Sequence, residues 1–422
     1  MTAAALPAEG VARSPSLPVA VLLAVTPALA VAQFRAMALA VTVGFALAIA
    51  AHWRNHRSLP WPRLTALSGL AAALVAWLAL SSLWSPDLLQ GLGTAGGLAA
   101  LLVLAAMTAR ALEQDGAANR RLIGLAVAPG LLLGIALLAL DYATGNWFRL
   151  AVRGFPEWTP RVFFGLKPAV SVLVLLLPLV LAVPGLNRAA RGAILAAGVA
   201  VALWLPAESA KIAALAGVAA GIGAAFAPRL LPRLTAAVLA LLVLAMPLLL
   251  AASFTRPPDL SALPFSAAHR VLIWDFVIGR VAEKPVLGWG ADAARAIPGA
   301  EDGFSTEVLD RFGLTSPEER DVFGRHASRL PLHPHNAALH VWLETGLVGA
   351  VIAAALAAAA MLAAAASPIA GATLGVGVSG AITGLLSYGA WQPWWIATVM
   401  LAAVALGALQ RGHLDAPAQR RL

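Results

Sequence analysis

The chain has 422 residues, 60% of them hydrophobic and 12% charged, with a net charge of +9 and no cysteine. Soluble domains carry roughly 45–50% apolar and about 25% charged residues, so a soluble globule could not cover this much apolar surface with so little charge. A mean hydropathy of +0.84 points to a lipid bilayer, and the lack of cysteine excludes disulfides, zinc–thiolate sites, iron–sulfur clusters and thiol nucleophiles.

A helix that crosses a hydrocarbon core of about 30 Å needs about 20 apolar residues. Twelve candidate spans follow in chain order: 17–34, 36–53, 66–84, 91–109, 121–141, 166–185, 190–206, 210–227, 234–252, 336–363, 370–388 and 393–410. Glu9 and Arg13 precede the first span, and a second apolar run follows it at once, so the N-terminus reads as retained rather than as a cleaved leader. With that terminus inside, the loops after even-numbered spans carry Arg54, Arg57 and Arg63, then Arg110, Arg120 and Arg121, then Arg188 and Arg191, then Arg229 and Arg233. Arg411, Arg420 and Arg421 lie in the tail, whereas loops 85–90 and 389–393 hold no Lys or Arg. This is the positive-inside pattern, and it places both termini in the cytoplasm. The basic excess then reflects loop arginines and contact with membrane lipid or phosphate, with no nucleic-acid partner expected.

The expected fold class is an all-α polytopic membrane protein of about twelve transmembrane helices. It divides into a bundle over 1–252, a large outer loop over 253–335 and a second bundle over 336–422. The loop 253–335 holds 20 of the chain's charged residues. Within it, 270–283 is amphipathic, and Ser316-Pro317-Glu318-Glu319 reads as an N-cap, a proline at the first helical position and acids in the first turn. A small helical cap on the outer face is the expectation. The loop 142–165, with Arg149, Arg153 and Arg161, also puts cations on that face.

The candidate chemistry is cationic and rich in imidazole. There is no Walker loop and no Asp-x-Asp pair, and Glu344 is the one acid well inside a predicted span. A coupled transporter usually needs several such acids. His335 sits at a predicted helix entrance with Asn336 as its N-cap. Positive charge at a helix start disfavours imidazolium and keeps the ring neutral, as a general base near pH 7 requires. The competing reading makes His335 a capping residue. His333 and His335 could be taken for a metal pair, but they lack a carboxylate or cysteine partner, and no metal or cofactor is expected. His340 and Glu344, spaced i and i+4, read either as a catalytic pair or as mutual partners in the bundle. Gly346 and Gly349 leave a smooth patch for close helix packing. Trp391, Trp394 and Trp395 read as an interfacial aromatic belt. Arg270, Glu208-Ser209-Ala210-Lys211, Arg161 and Lys167 add outer-face cations of the kind that hold a pyrophosphate without metal.

The segment His335-Asn336, nine residues, Gly346, two residues, Gly349 resembles the H-N/S/Q-x9-G-x-x-G pattern of the O-antigen ligase and polymerase superfamily. Arg270 followed by Pro285-Val286-Leu287-Gly288-Trp289-Gly290 is similar to that family's R…P-L/V-x-G-x-G run. Chain length, twelve spans and one dominant outer loop between spans nine and ten resemble the O-antigen ligases within it. Two departures stand out: relatives often carry Ser-Arg where this chain has Ser209-Ala210-Lys211, and an Asn-rich turn where it reads Lys167-Pro168-Ala169-Val170. The resemblance implies a GT-C-like glycosyltransferase of the bacterial inner membrane, with its active site facing the periplasm. It implies an undecaprenyl-pyrophosphate-linked O-antigen donor and a lipid A–core acceptor. His335 would be the base; Arg270, Lys211, Arg161 and Lys167 would hold pyrophosphate; His333 and Asn336 would contact substrate. O-antigen polymerase, protein O-oligosaccharyltransferase and a polysaccharide transporter are the alternatives.

Overall fold

The computed structural model describes residues 13–154 and 165–419, and among these every regular element is helical. Each of the twelve expected spans is a helix or, twice, a helix continued by a tighter turn, at Ser82–Trp84 and at Leu177–Ala182. In chain order they are α1 (Ser16–Gln33), α2 (Ala36–His56), α3 (Ala66–Ser81), α4 (Leu88–Gln114) and α5 (Ala117–Ala143). The short α6 (Trp147–Arg153) precedes α7 (Leu166–Leu176), which runs on as 3-10 helix to Ala182. Then come α8 (Arg188–Trp204), α9 (Glu208–Gly223) and α10 (Leu230–Ser253). Beyond the segment 254–336 lie α14 (Ala337–Ala365), α15 (Ala370–Leu386) and α16 (Pro393–Gln419).

Eight of these are long and apolar enough to cross a membrane: α1, α2, α3 with its 3-10 continuation to Trp84, α4, α5, α10, α14 and α16. The four others, at 166–182, 188–204, 208–223 and 370–386, fall short of that length. The outer sides of the long helices expose large apolar side chains, Leu39 at 69%, Leu125 at 63%, Leu241 at 64% and Leu248 at 74%. Such surfaces are stable in lipid, not in water. The chain is a polytopic, all-α membrane protein.

Small residues set the closest helix contacts, since helix association in lipid depends on shape rather than on excluding water. On α9 and α15, Gly217 faces Gly375 and Gly221 faces Gly371; a Cβ on Gly371 would lie 2.7 Å from the Gly221 carbonyl oxygen. The pairing lies in the first two turns of α15, whose other end leads into the loop 387–392.

The segment between α10 and α14 folds around a core of its own, with Leu260, Leu272, Phe304, Leu309, Phe312 and Phe323 buried together. It contains α11 (Phe265–Glu283), α12 (Thr306–Arg311) and α13 (Pro317–Asp321). α11 begins five residues before the expected amphipathic run. At α13, Ser316 is the N-cap and Pro317 the first helical residue, as the sequence suggested, and Glu319 returns the bond to complete a capping box. The tryptophan belt is corrected. Trp391, Trp394 and Trp395 are only 8%, 7% and 4% exposed. Trp394 packs edge-on to Phe34 and Tyr388 at centroid distances of 5.0 and 4.8 Å, so these rings fill the bundle instead of facing lipid.

Candidate functional site

Four elements meet at residues 386–388, where α15 ends. The Arg270 guanidinium donates to the Leu386 carbonyl at 2.9 Å. His335 Nδ1 donates to the Ser387 carbonyl at 2.8 Å. The Ser387 hydroxyl bonds to Ser209 at the start of α9, and the Tyr388 hydroxyl lies 3.1 Å from Ser171 on α7. Helix starts and ends that are far apart in sequence are thereby held at one side of the bundle.

A carbonyl oxygen only accepts, so the bond to Ser387 fixes the proton of neutral His335 on Nδ1 and leaves Nε2 bare as an acceptor. Burial is the main force holding this ring neutral. The positive charges of Arg270 and Lys167 act in the same direction, against the Ser387 bond, and the pKa falls from 6.5 to about 4. His335 has φ of +56°, in the left-handed region that non-glycine residues seldom occupy. Asn336 follows as the N-cap of α14, its side chain accepting the Leu339 N–H at 3.0 Å.

A pH effect on stability follows. The folded-state pKa of His335 lies below that of free imidazole, so the stability linked to its neutral ring is complete above about pH 6.5. It is lost as the pH falls towards about 4. Thermal inactivation in detergent should therefore begin at progressively lower temperature between those pH values. A midpoint that stayed constant across that window would contradict a neutral, enclosed ring.

Two other histidines stand beside it. His333 is 5% exposed and its ring centroid is 4.3 Å from that of His335. His340 accepts the Ala390 N–H on Nδ1 at 2.9 Å, so its Nε2 carries the proton and donates to Glu344 at 2.9 Å. His340 and Glu344 thus satisfy each other. Glu344, fully buried, also accepts from Trp391 Nε1 at 2.7 Å and from the Asp292 and Ala294 backbone N–H groups at 2.8 and 3.1 Å. It ties the segment between α10 and α14 to α14 itself.

Gly346 does more than leave space. It takes φ of +61° and ψ of −160° within α14, interrupting the helix. The groups freed by this break bond the segment Pro285–Gly290: Trp289 and Gly290 donate to the Leu343 and Glu344 carbonyls at 2.8 Å each, and Leu347 donates to the Pro285 carbonyl at 2.9 Å. A Cβ on Gly346 would lie 2.2 Å from the Val286 carbonyl oxygen. The two glycine-containing runs, more than fifty residues apart, form one joint. Gly349 instead keeps α14 close to α3, where a Cβ would lie 3.3 Å from Trp77.

The expected site residues therefore divide. His335, Arg270 and Lys167 share one electrostatic neighbourhood, with His333 and Asn336 adjoining. Lys211 stands two residues after Ser209, but its ammonium is paired with Glu208 at 2.8 Å. Arg161 lies outside the described residues. Another outer cation, Arg149, is buried against Asp141 at 2.5 Å. Among the described residues no three His, Asp or Glu side chains are grouped to hold a metal. The sequence reading missed Ser387, Tyr388, Gly389 and Gln392. Their one signal was a polar and aromatic loop, Ser-Tyr-Gly-Ala-Trp-Gln, between two apolar runs. Beyond His333, a cavity of about 60 Å3 is lined by Arg295, His333, His340, Trp391 and Gln392 together with Asp292 and Leu332.

Residues 173–354 match the family model described as O-antigen ligase. The matched span includes Lys211, Arg270, Pro285–Gly290, His333, His335, Glu344 and Gly346, and it excludes Lys167 and the loop 387–392. A protein of Rickettsia conorii described as a "putative polysaccharide ligase" is 29% identical over 161 residues, 36% of this chain and 36% of that protein. One of Rickettsia felis with the same description matches to the same extent. One of Rickettsia typhi is 31% identical over 134 residues, 31% of this chain and 29% of its own length. The chain thus spans about a third of the length of these relatives. Part of this membrane protein is therefore similar to the O-antigen ligase model and to proteins described as polysaccharide ligases.

Proposed function

We propose that this protein is an O-antigen ligase of the bacterial inner membrane. In this reading it transfers a polysaccharide from undecaprenyl pyrophosphate to a sugar hydroxyl of the lipid A–core, at the periplasmic face, without a metal. The observation that carries it is His335: a neutral imidazole with a bare Nε2, next to the permanent charge of Arg270 and within the region matched by the O-antigen ligase model. All twelve helical segments would span the membrane in a GT-C-like arrangement, with both termini cytoplasmic.

The chemistry follows from the groups present. The acceptor hydroxyl oxygen attacks the anomeric carbon and its proton passes to His335 Nε2. The bond from that carbon to the pyrophosphate oxygen breaks as the new bond forms, with inversion. Pyrophosphate is already a good leaving group, so its growing charge needs stabilisation more than protonation. Arg270 would supply it through its two-pronged fork, with Lys167, Lys211 and Arg161 as further cations. Asn336 holds the start of α14 and so the base attached to it. Lys211 would have to leave Glu208 to reach a phosphate, which makes it the weaker partner.

The test is transfer from a polyprenyl-pyrophosphate glycan to purified lipid A–core in the presence of EDTA. Wild-type protein should form product. Arg270→Ala should lower the rate about 100- to 1,000-fold, the usual loss when one donor to a developing oxyanion is removed. Arg270→Lys should recover only part of it, because charge returns without the fork. Longer glycans on the carrier and none on lipid A–core would make the protein a polymerase instead. Dependence on a divalent metal would overturn the metal-free mechanism.

A further inference from the structure

His333 occupies the site, yet both of its ring nitrogens are taken by the protein. Its Nδ1 accepts the backbone N–H of His335 at 3.1 Å. On a neutral ring the proton then sits on Nε2, which faces the Gln392 side-chain amide at 2.6 Å. That N–H needs an acceptor, so the amide oxygen of Gln392 must be the atom turned towards it. This orientation also gives a partner to the Gln392 oxygen, which is buried and otherwise unpaired. The loop 387–392 comes close enough for this because residue 389 is glycine: a Cβ there would lie 2.9 Å from both His333 Cγ and His340 Nδ1. Burial is the first cause keeping His333 neutral, and the permanent charges of Arg295 and Arg270 act in the same direction.

The geometry points to a positioning role. We propose that the pair His333–Gln392 holds the backbone of His335 in its left-handed conformation and thereby aims Nε2 of that ring, with no contact between His333 and substrate. A left-handed conformation at a non-glycine residue is unfavourable and persists where neighbours over-determine it. His335 is held from three directions: its ring by Ser387, its N–H by His333, and its C-terminal neighbour Asn336 by the cap of α14. His333 is the member that acts on the backbone itself. The arrangement is the imidazole counterpart of a turn in which an Asn oxygen accepts the N–H two residues on. An Asn at 333 can therefore make the same bond, and an Ala cannot.

The proposal rests on the transfer reading, and the experiment separates the two. Steady-state transfer would be measured for wild type, His333→Asn, His333→Ala, Gln392→Leu, His335→Ala and the double variant His333→Ala/His335→Ala. His333→Ala should lose about 10- to 100-fold in kcat, the scale of a misplacement near 1 Å, with KM for donor and acceptor nearly unchanged. His333→Asn should recover most of that loss, and Gln392→Leu should show a smaller one. The double variant should be no slower than His335→Ala alone, because the first residue acts only through the second. A raised KM in His333→Ala, equal losses in the Asn and Ala variants, or additive losses in the double variant would each overturn the positioning role. If wild type transfers nothing to any acceptor, the proposed function fails and the geometry is read directly. Nitrogen NMR of 15N-histidine protein should then show His335 protonated on Nδ1 in wild type and His333→Asn, and a mixture of tautomers in His333→Ala. An unchanged tautomer in the Ala variant would sink the proposal on that route too.

Discussion

His335→Ala should lower transfer by about 100- to 10,000-fold, the range for a positioned general base, while the protein remains folded. The loss should fall on kcat, since the ring's role is to take a proton as the new bond forms. Stability should hold or rise slightly at low pH, because a buried ring that resists its proton is removed. The comparison variant is His335→Gln, which keeps a side-chain donor for Ser387 but has no basic nitrogen. It should retain the fold and be as slow as the alanine variant. Transfer at the wild-type rate by either one would take the base away from His335 and leave it as the residue before the cap of α14.

Glu344→Ala should have the opposite signature, with stability lost first and activity lost as its consequence. The carboxylate accepts four N–H groups, from His340, Trp391, Asp292 and Ala294, in a fully buried position. Leaving a buried donor unpaired costs about 1–3 kcal/mol, so losing the shared acceptor should cost several kcal/mol even when the terms fail to add. Detachment of the loop around Asp292 and Ala294 should follow, visible as faster proteolysis within 285–300. Glu344→Gln keeps one acceptor oxygen and should lie between alanine and wild type. The measurement is the midpoint of thermal inactivation in detergent, with limited proteolysis alongside. An unchanged midpoint and cleavage pattern in Glu344→Ala would show that α14 and the segment before it are joined by other contacts.

The two experiments separate roles that sequence spacing leaves merged. His340 and Glu344, at i and i+4, fit a catalytic pair as readily as a structural one. Their tautomer and partners favour the structural role, because the Ala390 N–H fills one nitrogen of His340 and Glu344 takes the proton on the other. Lys211 is a similar case. Its position after Ser209 suggests a pyrophosphate ligand, yet the carboxylate three residues before it holds the ammonium.

Hydropathy and composition, read along the chain, determined a great deal here. They placed the protein in a membrane, marked twelve helical segments, of which eight are long and apolar enough to cross it, and set off 253–335 as a segment of different character. Local rules found the caps at Asn336 and Ser316, since each depends on atoms only three residues apart. The tertiary structure alone decided the break at Gly346 and its joint with Pro285–Gly290, which depend on the direction of free backbone groups. It also decided the inward turn of Trp391, Trp394 and Trp395: tryptophan at the end of an apolar run suits a lipid interface and a packed core equally, and only the neighbouring helices choose. The loop 387–392 showed in the sequence only as a short polar and aromatic break between two apolar runs, yet its carbonyls and amides orient three histidines. Those bonds join residues about fifty positions apart, and hydrogen-bond direction over that separation is a property of how the helices pack.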